Sequence, residues 1–298
     1  MPSFSYADWR SNTMAFFADA NPAIGPLFDG MVTDPSNPLR AKELLPSAKQ
    51  TCTGTETLCE QTVIPTNGFA VGDRMFLHYM SVKRFGYPQP NDYALNYAGI
   101  AYSDDGGQTW TKDPSTMWAG NSNFGQVAAT QTGGDVYLFG IPGGRTGDVK
   151  LARVRSGRIL SKASYRYWGG RTWNNREGSA AVVANAPAGE LSVQWNSYFG
   201  KWLMMYLRVR EPRESSPAGD VVLRSADCLT GPWSEPQVVV TSDQYPSLYA
   251  PFIPPRWNDG PDVYFSMSIY LPYNVFWMHT ALAGIPRPGL NPCVSPRQ

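Results

Sequence analysis

The chain has 298 residues, of which 42% are hydrophobic, 13% aromatic and only 16% charged, with a formal net charge of +1. That balance excludes a disordered chain, and the near-neutral charge leaves no basic field to hold nucleic acid or an anionic membrane surface. No apolar run reaches the length of a membrane span, so neither a nucleic-acid partner nor a membrane span is expected.

At the N-terminus there is neither a basic stretch nor an apolar one, so the first residues do not read as a signal peptide. Asp8 heads Asp8-Trp9-Arg10-Ser11-Asn12. It is either a solvated turn aspartate or a carboxylate that Arg10 holds ionised. Residues 12–19 resemble a strand that recurs further along the chain. Residues 20–58 are polar, proline-containing and irregular, and read as an insertion with one short helical possibility at 39–45. Cys52 and Cys59 bracket a six-residue loop suited to a local disulfide. Cys228 and Cys293 can then tie down a tail at 283–298, although four cysteines allow three pairings or none. Disulfides imply an oxidising compartment, hence a secreted or cell-envelope location. The two histidines and the cysteine spacing do not suggest a metal site, and no cofactor is expected.

From Glu60 onward the chain repeats a glycine-containing turn followed by a short apolar run. The runs are 75–82, 136–141, 202–209 and 263–269, after Gly72, Gly134, Gly200 and Gly260, in steps of 62, 66 and 60. Each is followed by a second run, at 97–102, 149–154, 221–225 and 275–280, as in hairpins. Such a period suggests propeller blades with long connecting loops. Ser103-Asp104-Asp105-Gly106-Gly107-Gln108-Thr109-Trp110 fits the Asp-box pattern S-x-D-x-G-x-x-W, and the stretch from Ser225 to Trp233 is a looser version. In that turn the aspartate caps amides, so Asp105 and Asp227 read as structural. Aligning residues 12–19 with the second runs makes five second strands against four first strands. The expectation is an all-β, five-bladed β-propeller in a single domain spanning 1–298, its first blade lacking the N-terminal strand.

No phosphate loop or nucleophile triad is present. The glycines of Ile141-Pro142-Gly143-Gly144-Arg145-Thr146-Gly147 sit in a hairpin turn and are too few for the former. What remains is carboxylates among aromatics and amides, the equipment of glycoside cleavage. Glu60 leads into the second blade. Glu190, Ser192 and Gln194 alternate with Leu191, Val193 and Trp195, which puts the polar set on one strand face. That face either lines the axial channel or lies exposed. His78 is either a core or a site histidine, and Tyr249, Tyr273 and Asn274 are subsite candidates.

Residues 8–13, 60–66, 76–81, 137–152, 189–202 and 249–274 together resemble the family called domain of unknown function 4185, in order and over nearly the whole chain. The resemblance implies a five-bladed propeller of glycoside hydrolase family 183, an endo-D-arabinanase that cuts the D-arabinan of actinobacterial arabinogalactan and lipoarabinomannan. It implies two catalytic aspartates. One maps onto Asp8. The other belongs to a Gly-Asp-Thr motif on a preceding strand, which this sequence does not contain upstream of Asp8. The chain as it stands is therefore expected to be inactive, or nearly so, on arabinan. Arg10, Asn12, Glu60, His78, Glu190, Gln194, Trp195, Tyr249, Tyr273 and Asn274 are the expected substrate-binding residues. The alternative is a non-catalytic glycan-binding propeller of an envelope or phage-tail protein. A sialidase-like activity ranks below both, for want of an arginine triad.

Overall fold

A computed structural model describes residues 9–18, 21–210, 219–282 and 285, and these residues are all-β apart from short 3-10 turns. The strands are β1 (Ala15–Phe16), β2 (Gly30–Met31), β3 (Thr33–Asp34), β4 (Asn37–Ala41), β5 (Thr62–Val71), β6 (Arg74–Phe85), β7 (Tyr93–Ser103), β8 (Thr111–Ala119), β9 (Gln126–Thr132), β10 (Asp135–Ile141), β11 (Gly147–Arg155), β12 (Arg166–Trp168), β13 (Trp173–Asn174), β14 (Val182–Ala188), β15 (Leu191–Asn196), β16 (Lys201–Val209), β17 (Gly219–Ala226), β18 (Gln237–Thr241), β19 (Leu248–Phe252), β20 (Asp262–Ile269) and β21 (Asn274–Ala281). They form four antiparallel propeller blades. Blade II is β5-β6-β7-β8, blade III is β9-β10-β11 with β12, β13 and β14 outside, blade IV is β15-β16-β17-β18, and blade V is β19-β20-β21.

The four expected hairpins are β6–β7, β10–β11, β16–β17 and β20–β21. Each is preceded by an inner strand, so the apolar runs expected to open the blades are second in order. The inner strands are less legible because polar residues and prolines interrupt them. Pro65 sits at a register shift in β5, and Pro251 lies within the irregular pairing of β19. Gly72, Gly134 and Gly200 turn the inner strand into its partner with φ of 58°, 79° and 59°, a region that favours glycine.

Residues ahead of blade II form a smaller sector. The expected strand at 12–19 is regular only at Ala15–Phe16, which pairs with Gly30–Met31. The helical possibility at 39–45 is instead the end of strand β4 followed by irregular chain, with β4 paired with β3 across a tight turn in which Asp34 accepts from the Ser36 amide at 2.9 Å. Pro38 and the Asn37 side chain, which accepts from the Leu39 amide, favour that extended start. This sector closes the ring. Val32, Leu44 and Leu45 pack against Val63, Tyr79 and Ala101 of blade II. On its other side Trp277 of blade V donates to Pro22 O at 2.7 Å, and Phe17 stacks on Trp257 with centroids 5.4 Å apart.

The core is a set of seams between neighbouring sheets. Strand β16 shows why its sequence is apolar without a break from Trp202 to Leu207: Trp202, Met204 and Tyr206 face blade III, while Leu203, Met205, Leu207 and Val209 face blade V. Alternate side chains serve opposite seams, so both faces are buried. Strand β10 does the same, with Val136 and Leu138 toward blade II and Phe139 and Ile141 toward blade IV. The Asp-box lies between β7 and β8. Asp105 accepts from the Thr109 amide at 2.9 Å, and Trp110 Nε1 donates to Gly107 O at 2.9 Å. Cys52 and Cys59 are disulfide-bonded. Cys228 is also disulfide-bonded, whereas Cys293 and Asp8 lie outside the described residues.

Candidate functional site at the propeller axis

The inner strands succeed one another around the axis, β5 beside β9, β9 beside β15 and β15 beside β19. They enclose a cavity of about 540 Å³. Thr66, Gln126, Glu190 and Tyr249 each bring one polar side chain to it from a different blade, in steps of 60, 64 and 59 residues. Ile64, Met80, Phe85, Val127, Leu191 and Phe252 supply apolar wall.

Arg145 is delivered by the β10–β11 loop. Gly143 and Gly144 let that loop lie flush on residues 91–93, where a Cβ on Gly143 would sit 2.6 Å from Tyr93 O. The Arg145 amide donates to Asn91 O at 2.8 Å, and the Thr146 hydroxyl to Asp92 Oδ1 at 2.7 Å. So anchored, the guanidinium donates to Glu190 Oε1 through Nε at 2.9 Å and Nη2 at 2.8 Å, and lies 5.7 and 5.4 Å from the Tyr93 and Tyr249 ring centroids. Burial opposes its charge, but the Glu190 carboxylate outweighs burial and raises its pKa. Tyr93 donates to Glu190 Oε1 at 3.4 Å. Burial, reinforced by the Glu190 charge, raises the Tyr93 pKa, and burial pushes Tyr249 up to about 12. Both phenols therefore remain donors at neutral pH. At the rim, Ala250 and Tyr273 hold φ of 49° and 68°. Such strained non-glycine backbone concentrates at functional sites.

These groups suit a hydroxyl-rich ligand: tyrosine rings for sugar faces, and an ion pair, an amide and phenols for hydroxyls. Among the described lining residues Glu190 is the one carboxylate. Acid–base cleavage of a glycoside uses two.

Of the residues expected from sequence, Glu190, Tyr249 and Tyr273 meet at this cavity. The other expected residues that are described do not line it. Asn12 is buried and bridges the N-terminal sector to blade II, donating to Leu45 O and Val63 O at 2.9 and 3.0 Å. Arg10 donates to Ala41 O. Glu60 accepts from the Ser81 hydroxyl at 2.6 Å. Gln194 is buried in β15, while Trp195 packs on Trp202 and is 40% exposed. Asn274 opens β21 at the surface. His78 is a core residue, fully buried, with Nδ1 2.7 Å from the Thr66 hydroxyl. It sits behind the cavity wall because the β6 side chain points into the seam beside Trp118. The polar face of β15 is neither axial nor exposed along its length: the Ser192 hydroxyl accepts from Ile253 N at 3.1 Å, so it faces blade V. Arg145, Tyr93, Gln126 and Phe85 were absent from the expected set. The glycine pair ahead of Arg145 was the available signal, and it marks close backbone approach.

The fold and cavity define an all-β propeller with a ligand-sized pocket on its axis. A family model, Domain of unknown function (DUF4185), matches residues 2–279, and the chain belongs to that family. It is 34% identical over 230 residues to Notoamide biosynthesis cluster protein J of Aspergillus sp. (strain MF297-2), a match covering 72% of the chain and 58% of that protein. Protein J' of the corresponding cluster in Aspergillus versicolor is 33% identical, over 67% of the chain and 54% of its own length. The chain thus spans little more than half of these relatives. Among solved structures, an exo-1,5-α-L-arabinanase from a bovine ruminal metagenomic library matches 80% of the chain and 81% of its own, with a TM-score of 0.52 and 9% identity. The Cellvibrio cellulosa α-L-arabinanase complexed with arabinohexaose matches 80% of each chain, also at 0.52 and 9%. At such identity the likeness is one of fold: a propeller resembling arabinan-cleaving glycoside hydrolases.

Proposed function

We propose that the axial cavity is a glycan site and that its ligand is D-arabinan, with the chain acting outside the cytoplasm as part of a secreted or envelope protein. The observation that carries this reading is the convergence of Tyr93, Gln126, Arg145, Glu190 and Tyr249, from all four blades, on one cavity with aromatic and apolar walls. The arabinohexaose-bound propeller of the same fold supports an arabinose polymer as the class to test, and the resemblance of the Asp8 and Glu190 segments supports the D-series. The disulfides support an oxidising compartment.

In this reading Asp8 is one of the two catalytic carboxylates of an endo-D-arabinanase, and the cavity binds and orients the polysaccharide. The test is release of oligosaccharides from D-arabinan, with L-arabinan as control. In a form of the protein that carries both aspartates, Asp8→Asn is expected to abolish release while leaving D-arabinan binding and the unfolding temperature unchanged. Equal turnover by the variant removes Asp8 from the mechanism, and absence of binding by the unmodified chain overturns the glycan reading.

The single carboxylate among the described lining residues favours a second reading, a glycan-binding propeller without hydrolysis. Saturable binding without product release separates it from the first.

A further inference from the structure

Phe85 closes β6 and is shared by two cavities. On one side it helps to wall the axial cavity, its ring edge-on to Tyr93 with centroids 5.0 Å apart. On the other it borders a groove of about 400 Å³ with Gln50, Thr51, Cys52, Thr53, Gln61 and Arg84. The Cys52–Cys59 disulfide closes the loop that forms this groove. The Glu56 carboxylate shapes that loop, accepting from the amides of Thr53 and Gly54 at 2.7 and 2.9 Å. Arg84 Nη1 and Lys83 Nζ, each at 2.8 Å, pin Thr53 O and Glu56 O.

The lining chemistry is specific. Its described lining comprises two glutamines, two threonines, an arginine, a half-cystine and a phenylalanine, with no aspartate or glutamate among them, and the Thr53 hydroxyl is already committed to Glu56 Oε1 at 2.8 Å. The backbone amide of Gln61 is used in the pairing with Val82 O, but its side-chain amide has no protein partner among the described residues. Gln50 Oε1 accepts from the Glu60 amide, which holds that side chain in place. Amide groups offer both donors and acceptors, and with hydroxyls they match the alternating donor and acceptor character of sugar hydroxyls.

We propose that this groove is a second saccharide subsite, so that the ligand is a neutral oligosaccharide running from the axial cavity across Phe85 into the loop closed by Cys52–Cys59. The proposal rests on the reading of the axial cavity as a glycan site.

The experiment is calorimetric titration of the folded chain with D-arabino-oligosaccharides of two and six residues, repeated with Gln61→Ala and Phe85→Ala. The six-residue ligand is expected to bind at least about tenfold more tightly than the two-residue one, because the second contact is made within one ligand. Each variant is expected to lower that ratio by about fivefold or more, with circular dichroism and unfolding temperature confirming the fold. If Phe85→Ala fails to fold, Gln61→Ala decides the matter, since the Gln61 side chain lines the groove and makes no hydrogen bond to the described residues. A six-residue ligand that binds no better than the short one, or a ratio unchanged in folded Gln61→Ala, overturns the second subsite and leaves the axial reading standing. Failure of both lengths to bind overturns the axial reading and the second subsite with it.

Discussion

At the residue scale the cavity depends on an ion pair that is partly withdrawn from water. The Arg145 and Glu190 side chains are 13% and 21% exposed, so each relies on the other for the charge it keeps. Removing one partner leaves a half-buried charge uncompensated. Arg145→Met is therefore expected to destabilise the fold by about 3 kcal/mol. The double variant Arg145→Met with Glu190→Leu should recover most of that loss while binding no glycan, as read by chemical denaturation and titration. His78 carries a different charge problem. Burial keeps its imidazole neutral and brings its pKa down to about 3. In the unfolded chain the ring takes up a proton near pH 6.5, whereas in the folded chain it does not. Stability should therefore fall as pH drops from about 6.5 toward 3, by up to about 1.4 kcal/mol per pH unit. Unfolding temperatures measured across that range should decline less steeply for His78→Gln than for the unmodified chain.

At the element scale the clearest local device is the Asp-box turn. Its aspartate is held by the Thr109 hydroxyl and amide and by the Ser103 hydroxyl, which together bring its pKa down to about 2. A carboxylate with a depressed pKa stabilises above the unfolded value and loses that contribution as pH falls through the folded one. Asp105→Ala is expected to lower the unfolding temperature at neutral pH, with the difference from the unmodified chain shrinking toward pH 2. Glycan binding should not change, since the turn lies between β7 and β8 and does not line the cavity. This turn was legible in the sequence because the hydrogen bonds of Asp105 and Trp110 that shape it reach only a few residues along the chain. The same holds for the hairpins, and the Cys52–Cys59 bridge also closes locally, seven residues apart. The strand at 12–19 and the helical possibility at 39–45 were less secure. At the first, pairing with residues 30–31 is set by packing against blades II and V; at the second, the Asp34 turn and Pro38 favour extended chain over helix.

At the scale of the whole molecule, the ring is closed by side chains from its two ends. Trp277 of blade V reaches Pro22, Phe17 stacks on Trp257, and Arg256 donates to Ala18 O at 3.0 Å. Blades III and IV share a seam that includes Phe139, Trp202 and Tyr206 and does not involve this closure. Trp277→Ala should therefore loosen the N-terminal sector selectively. Hydrogen exchange is expected to quicken at residues 12–45 while β10 and β16 keep their protection. Uniform loss of protection across all sheets would show that the ring opens as one unit.

The sequence by itself determined the alternation of apolar runs and glycine turns, the four hairpins and the Asp-box, since each rests on periodicity or on contacts close along the chain, and it left the Cys52–Cys59 bridge as one of several pairings. Burial of both faces of β10 and β16 also follows from their unbroken apolar runs once neighbouring blades are allowed for. Only the tertiary structure decided the site. Arg145 and Glu190 lie 45 residues apart and on different blades, and they meet because a glycine pair lets one loop press against another strand. His78 looks like a site residue in one dimension and becomes a seam residue in three, because the inward or seamward direction of a propeller strand is set by how the blades pack around the axis. Side-chain type is written locally, whereas the direction in which it points is a property of the closed ring.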